Sequence, residues 1–317
     1  MADSADPSPE VVAVGAATVD RFYDVTNLPD PDGGAFAREA TERFGGVGAN
    51  VATGLARLGR DTALIGRLGT DDLGDRVLVD LEAGPVSTAL IRRGAGTTTH
   101  CVILRDDAGE RMIVTAGDST VRLRLDDDDR AAIRAADTVF VTAYAPDPVT
   151  AEIVEIARED GGPALAFDLS GPLEELRGRG TEPSTIDRVV ETAELFVTAE
   201  VAAESYLDCP AEAAVGALRD RGCSRGAVTF GTEGATLFYG EATTEIPAFD
   251  VDATDTTGAG DAFTAALTER WLLGDADPER AGRFAAAAAA TNCRAAGARG
   301  GLPDRDAILA FLSDRGI

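Results

Sequence analysis

The residues best suited to chemistry lie between Asp252 and Phe263, in the stretch DATDTTGAGDAF. Its core, DTTGAGD from Asp255 to Asp261, passes directly into a helical pattern at Ala262, Phe263, Ala266 and Leu267. Glycines at a helix start let successive backbone N–H groups converge on one anion, and the helix dipole reinforces them. A carboxylate at Asp261 would repel a phosphate held by those amides unless it accepts a proton from an attacking hydroxyl. That is the work of a general base in phosphoryl transfer. Taken alone, the stretch reads equally as a glycine-rich helix cap with an acid in the first turn.

A second glycine run, Gly45-Gly46-Val47-Gly48-Ala49-Asn50, also enters a helix. Glycines permit close backbone approach to a polar ligand, and Asn50 offers both a donor and an acceptor to sugar hydroxyls. The run is not the dinucleotide fingerprint G-x-G-x-x-G. Its competing reading is a tight loop-to-helix junction with Asn50 facing solvent.

The elements that must position these turns alternate strand and helix. Val11 to Gly15 reads as a buried first strand, and Val47, Val51, Leu55 and Leu58 recur at helical spacing until Gly59. Further strands are predicted at Thr62 to Gly66, Thr138 to Thr142, Ala164 to Asp168, Leu195 to Thr198 and Ala227 to Phe230. Helical patterns fall between them at Leu73 to Leu81, Val149 to Ala157 and Ala211 to Arg221. This rhythm implies βαβ crossovers in an α/β fold, with a mostly parallel sheet covered on both faces. Two stretches break it. Arg21 to Arg43 lacks helical periodicity, and Thr98 to Val114 reads as two strands around the turn Asp106-Asp107-Ala108-Gly109. Together they suggest a small β element beside the main sheet. From Ala259 the chain turns helical, with an alanine-rich segment from Ala281 to Ala296. No repeat and no long linker divides the 317 residues.

Composition narrows the chemistry. All 29 basic residues are arginine, against 55 acidic ones, for a formal net charge of −26. Such acidity opposes binding to nucleic-acid phosphates or anionic lipid. The acids are spread along the chain, which suits a solvated surface adapted to high salt. Even Asp126 to Asp129, followed by Arg130-Ala131-Ala132-Ile133, reads as a capped helix start. Without lysine, a P-loop and Schiff-base or pyridoxal-phosphate chemistry are excluded. The single histidine, His100, has no second histidine with which to hold a metal. Cys101, Cys209, Cys223 and Cys293 form no C-x-x-C pair and suit free thiols in a reducing cytoplasm. MADSADPSPE at the N-terminus lacks the basic and apolar regions of a signal peptide and is expected to be a disordered tail, residues 1–10. No segment approaches transmembrane length.

GGVGANVATGLARLG and DTTGAGDAF together resemble the two signatures of the ribokinase-like (PfkB) sugar-kinase family. Gly15 with Asp20, GERMI (109–113), VTFGTEGA (228–235) and the closing Gly297 and Pro303 follow in the family's order, so the likeness spans nearly the whole chain. The resemblance implies a ribokinase-like α/β domain over 11–317, with a small β lid formed from about residues 21–43 and 98–115. It implies ATP-dependent phosphorylation of a sugar hydroxyl, with Asp261 as base and the amides of Gly258, Ala259 and Gly260 as an anion hole. Asp20, Gly46 and Asn50 would hold sugar hydroxyls. Gly231, Thr232 and Gly234 would line the nucleotide, with Ala286 near the adenine. Asp255 and Thr257, with groups near Asn292, Ala295, Gly297 and Gly301, match a monovalent-cation site that would take potassium. Magnesium is implied as the companion of ATP, and dimerisation through the lid is implied as well.

One departure concerns the family's N-x-x-E motif, expected after the strand at Leu195 to Thr198. Its positions fall on Glu200 and Ala203, with no Asn nearby; Glu200 is one acid that could serve the magnesium shell, and a one-residue shift of register would recruit Glu204 instead. On the acceptor, Asp20 and Asn50 favour a neutral sugar, and a sugar phosphate follows, because it needs an arginine such as Arg21, Arg38, Arg92, Arg93, Arg105 or Arg111 near the lid. A nucleoside kinase and a catalytically silent sugar or nucleotide sensor are the other readings.

Overall fold

In the computed structural model, which describes residues 8–108 and 110–317, four consecutive buried residues, Val11–Val14, form the first strand, β1. An antiparallel pair, β2 (Thr18–Val25) and β3 (Ala37–Gly45), leads into α1 (Val47–Arg57), β4 (Thr62–Gly69), α2 (Asp72–Glu82) and β5 (Ile91–Gly94). A second pair, β6 (His100–Arg105) and β7 (Arg111–Ala116), precedes α3 (Asp127–Ala135), β8 (Thr138–Thr142), α4 (Asp147–Ala157) and β9 (Ala164–Asp168). Then come α5 (Leu173–Leu176), α6 (Pro183–Thr192), β10 (Leu195–Ala199), α7 (Glu200–Leu207), α8 (Ala214–Asp220) and β11 (Arg225–Thr229). A hairpin of β12 (Ala235–Tyr239) and β13 (Ala242–Ile246) is followed by α9 (Ala259–Leu267), α10 (Pro278–Asn292) and α11 (Arg305–Ser313).

The main sheet runs β13-β12-β11-β10-β9-β8-β1-β4-β5, parallel from β11 to β5, with β12 and β13 antiparallel at one edge. Successive side chains of a strand face opposite ways, and β1 serves both faces. Val11 and Ala13 pack with Leu55, Phe263, Phe284 and Phe311, while Val12 and Val14 pack with Ile133, Ile153, Ile186 and Val189. Helices therefore cover both sides, as the strand–helix rhythm predicts. The second sheet, in the order β3-β2-β6-β7, is built from the two stretches that break that rhythm.

Several boundaries differ from the sequence reading. The helix foreseen over Ala211 to Arg221 divides into a 3₁₀ turn, Ala211–Ala213, and α8. The alanine-rich helix stops at Asn292, which frees the residues after it to form turns. The start at Asp126 is a capping box: its carboxylate accepts from the Asp129 N–H, and that of Asp129 accepts from the Asp126 N–H. Of the expected tail, residues 1–7 lie outside the described residues. Glu10 is anchored, its carbonyl accepting from the Asp137 N–H at 3.0 Å and its carboxylate pairing with Arg60. No helix among the described residues is long and apolar enough to cross a membrane.

Candidate active site

Two helix N-termini meet beside the second sheet. Helix α9 starts at Gly258, whose φ of +76° and close approach to Ala298, 2.6–2.8 Å from where a Cβ would sit, exclude larger residues. The Ala259, Gly260 and Asp261 amides fall in its first turn, where N–H groups have no partner within the helix; that of Ala259 donates to the Thr256 carbonyl just before it at 3.2 Å. Gly260 has open space where a side chain would stand, so a ligand can approach the backbone there. Helix α1 starts at Gly46, with φ +95° and the Ala16 carbonyl 2.5 Å from its missing Cβ. This places Asn50 to donate from Nδ2 to Asp261 Oδ2 at 2.7 Å, joining the two motifs across 211 residues.

Asp261 lies at the junction of two cavities. The larger, about 480 Å³, is lined by Asp20, Gly46, Asn50, Gly258 and Asp261 together with residues of the second sheet. The smaller, about 110 Å³, is lined by Gly260, Asp261, Asp168 and Thr264 and by the C-terminal ends of β10 and β11. Burial pushes the Asp261 carboxyl up to about 7; the Asn50 bond opposes this, while the charges of Asp168 and Asp20 add to it. A carboxyl in that range can take a proton near neutral pH.

In the larger cavity, Asp20 accepts from the Thr18 hydroxyl at 2.9 Å. Burial raises its pKa, against the hydrogen bonds from Thr18 and Cys101 and the charge of Arg299. Asn50 Oδ1 and Thr120 Oγ1 are buried in the same lining and have no partner among the described residues. Buried polar atoms are rarely left so, and these are free to bond a ligand's hydroxyls. Residues the motifs did not point to complete the wall. Tyr144 donates to Glu175 at 2.6 Å, and Arg179 donates to the Thr115 and Gly117 carbonyls at 3.1 and 2.9 Å, tying the α5–α6 loop to β7. Arg111, Ile113 and Thr115, alternate residues of β7, line the cavity from above.

In the smaller cavity, Asp168 ends β9. It accepts from the Ser170 N–H at 2.7 Å and from the Thr264 hydroxyl at 3.4 Å, and burial pushes its carboxyl up to about 6. Neither Asp168 nor Asp261 has a guanidinium partner among the described residues. Glu200, by contrast, is exposed in the first turn of α7 and lines neither cavity, although its neighbour Ala199 lines the smaller one. Gly231 and Thr232 sit exposed on the turn after β11, Gly234 follows with φ +106°, and Ala286 is buried on α10. None of these four lines either cavity.

The residues matching a cation site do converge. Asp255 accepts from the Thr257 N–H at 2.9 Å and the Gly297 N–H at 3.0 Å, while Asn292 Nδ2 donates to the Thr257 carbonyl at 3.2 Å. The Ala295 N–H bonds the Asn292 carbonyl at 3.2 Å, and Gly301 packs against that same carbonyl. Asn292 Oδ1 is buried and unpartnered among the described residues. A carboxylate, carbonyls and a free amide oxygen form a hard-oxygen donor set that fits an alkali cation. No group of three His, Cys, Asp or Glu among the described residues could hold a metal, and the four cysteines are free.

Comparison with known proteins gives a consistent result. Residues 8–305 match a family model described as pfkB family carbohydrate kinase. A protein named ATP-dependent ribose-1-phosphate kinase, from Halopiger xanaduensis, is 33% identical over 306 residues, spanning 96% of this chain and 98% of that protein. A ribokinase from Arabidopsis thaliana is 28% identical over 321 residues, spanning 96% and 81%. A solved structure of Arabidopsis thaliana ribokinase complexed with ribose and ATP superposes with a TM-score of 0.83 at 26% identity, covering 96% of this chain and 99% of that one.

Proposed function

The chain belongs to the pfkB family of carbohydrate kinases, and we propose that it moves the terminal phosphoryl group of ATP to a hydroxyl of a sugar phosphate, with Asp261 as general base. One observation carries this reading: Asp261, the one ionisable residue lining both, joins a cavity lined by sugar-type hydrogen-bonding groups to a cavity at the sheet's C-terminal ends, with the α9 amides beside it. Nucleotide phosphates entering along the smaller cavity meet the amides of Ala259 and Gly260, with Gly231, Thr232, Gly234 and Ala286 toward the base. The acceptor lies in the larger cavity against Asp20, Gly46 and Asn50. Its hydroxyl gives a proton to Asp261 as its oxygen bonds the terminal phosphorus and the bond from that phosphorus to the bridging oxygen breaks, releasing ADP, and the amides of residues 258–260 take up charge on the transferring group.

Arg111 and Arg179, both in the acceptor cavity, supply the cations that a phosphate on the sugar needs. The 33% identity to a ribose-1-phosphate kinase over nearly all of both chains points the same way. The likeness to a ribokinase complexed with ribose favours a free pentose as the second reading. Asp168, rather than the exposed Glu200, would supply the carboxylate for a magnesium ion, which accompanies ATP and neutralises its phosphates. Asp255, Thr257 and Asn292, with the turn through Ala295, Gly297 and Gly301, would hold a potassium ion that steadies the start of α9.

The second sheet acts as a lid that closes on the acceptor and excludes water. Met112 and Val114, on the face of β7 turned away from the cavity, are 47% and 60% exposed, and a second copy of the chain covers them in a homodimer. The charge of −26 with no lysine suits a cytoplasm rich in salt. The test is a panel of ribose, ribose 1-phosphate, ribose 5-phosphate and cytidine with ATP in molar potassium chloride. Preference for a sugar phosphate, with Arg111→Gln and Arg179→Gln raising its KM but not that of ribose, supports the assignment. Free ribose turning over best, with both variants unchanged, overturns the phosphate reading.

A further inference from the structure

A third cleft, of about 320 Å³, shares no lining residue with the two cavities above, although Ala298 in the turn that walls it lines the acceptor side. Its walls are the end of β3, the last turns of α1 and α2, and the turn through Gly297 and Gly300. Three guanidiniums line it, those of Arg43, Arg57 and Arg299, against one carboxylate, Asp80. The formal surplus of two positive charges stands out in a chain with 55 acidic residues to 29 arginines.

Arg299 is the buried member, its side chain 11% exposed beneath the Phe44 ring, and burial lowers its pKa against the charges of Asp80 and Asp20. Its Nη2 lies 2.9 Å from Asp80 Oδ2, yet no N–H of that nitrogen points along a hydrogen bond among the described residues. Arg57 Nη1 donates to the Leu302 and Arg299 carbonyls at 2.6 and 3.3 Å, and Arg43 Nη1 donates to the Glu42 carbonyl at 2.8 Å. Those bonds fix the two side chains through neutral partners and leave their charge uncompensated by any carboxylate among the described residues.

We infer that this cleft is a second anion site, distinct from the phosphoryl-transfer centre, which takes a phosphate dianion either as the free ion or as the phosphate of a small phosphoester. Guanidiniums are the donors suited to a tetrahedral oxyanion, and a charge of about −2 matches the surplus. The volume admits more than the phosphate group alone, so an ester fits as readily as the free ion.

The test is thermal unfolding of the full chain at fixed potassium chloride, with a non-hydrolysable ATP analogue filling the catalytic centre. Inorganic phosphate or glycerol 3-phosphate is then titrated in at constant ionic strength. Wild type is expected to gain about 2 °C or more at saturation. Arg43→Gln and the double variant Arg43→Gln/Arg57→Gln are expected to lose that gain, while Arg111→Gln in the acceptor cavity retains it. The single variant leaves the Leu302 contact intact and guards against a folding defect in the double one. Tighter half-saturation by one probe names the source, the free ion or the ester. A wild type that gains nothing from either probe overturns the inference. So does a gain that survives both arginine variants and disappears in Arg111→Gln.

Discussion

Replacing Asp261 with asparagine is expected to stabilise the empty protein, increasingly so as the pH rises. The carboxyl is pushed up to about 7 from an ordinary 3.8, chiefly by burial. Between those values the unfolded chain has released a proton that the folded chain keeps. The stability contributed by the protonated group is therefore full below the unfolded value and is lost as pH rises through the folded one. At about 1.4 kcal/mol per pKa unit, the whole shift corresponds to about 4 kcal/mol above neutrality. Part of it belongs to the pair formed with Asp168, itself pushed up to about 6. That leaves about 2 kcal/mol to emerge for this side chain between about pH 5 and pH 8. Asparagine carries no charge, and its amide oxygen can still accept from Asn50 Nδ2, so the 2.7 Å contact survives. Urea unfolding in molar potassium chloride at both pH values measures the effect, since urea leaves the ionic strength alone. The variant should gain on wild type by about 2 kcal/mol across that interval. A stability difference that stays constant with pH would refute the burial argument and the raised carboxyl with it.

Asn50→Ala removes the hydrogen bond that holds the Asp261 pKa down. The acid limb of the kcat profile should move to higher pH by about half a unit or more, with a higher KM, as read from initial rates across pH. Gly258→Ala sets a side chain at φ +76° against the Ala298 backbone. It should cost about 2–4 kcal/mol by chemical unfolding and most of the activity. Asp168→Asn should raise the magnesium concentration for half-maximal rate by about tenfold, and an unchanged requirement would remove Asp168 from that role.

The two glycine turns were legible because their chemistry is local. Gly258 to Asp261 and Gly46 to Asn50 each combine a forced backbone turn with a polar group in the following helix, and the fold brings the two together. The alternation that predicts a two-faced parallel sheet is equally local, one strand at a time. Glu175, Arg179 and Thr120 give no such signal, since they enter the cavity from separate loops whose meeting depends on strand order. In the sequence Asp168 is the last residue of an ordinary strand, and only the approach of α9 to the end of β9 makes it a neighbour of Asp261. Motif register alone points to Glu200, and register cannot tell that the first turn of α7 presents it to solvent. The β12–β13 hairpin carries little sequence signal, because Gly240 and Glu241 form a turn without strong flanking alternation.

Turnover by Asp261→Asn tests the central claim most directly. With ATP and the best acceptor from the sugar panel, phosphoryl transfer should fall by about a thousandfold or more while calorimetry still detects both ligands. A variant that binds both and transfers at the wild-type rate would contradict the assignment of this carboxylate as the base.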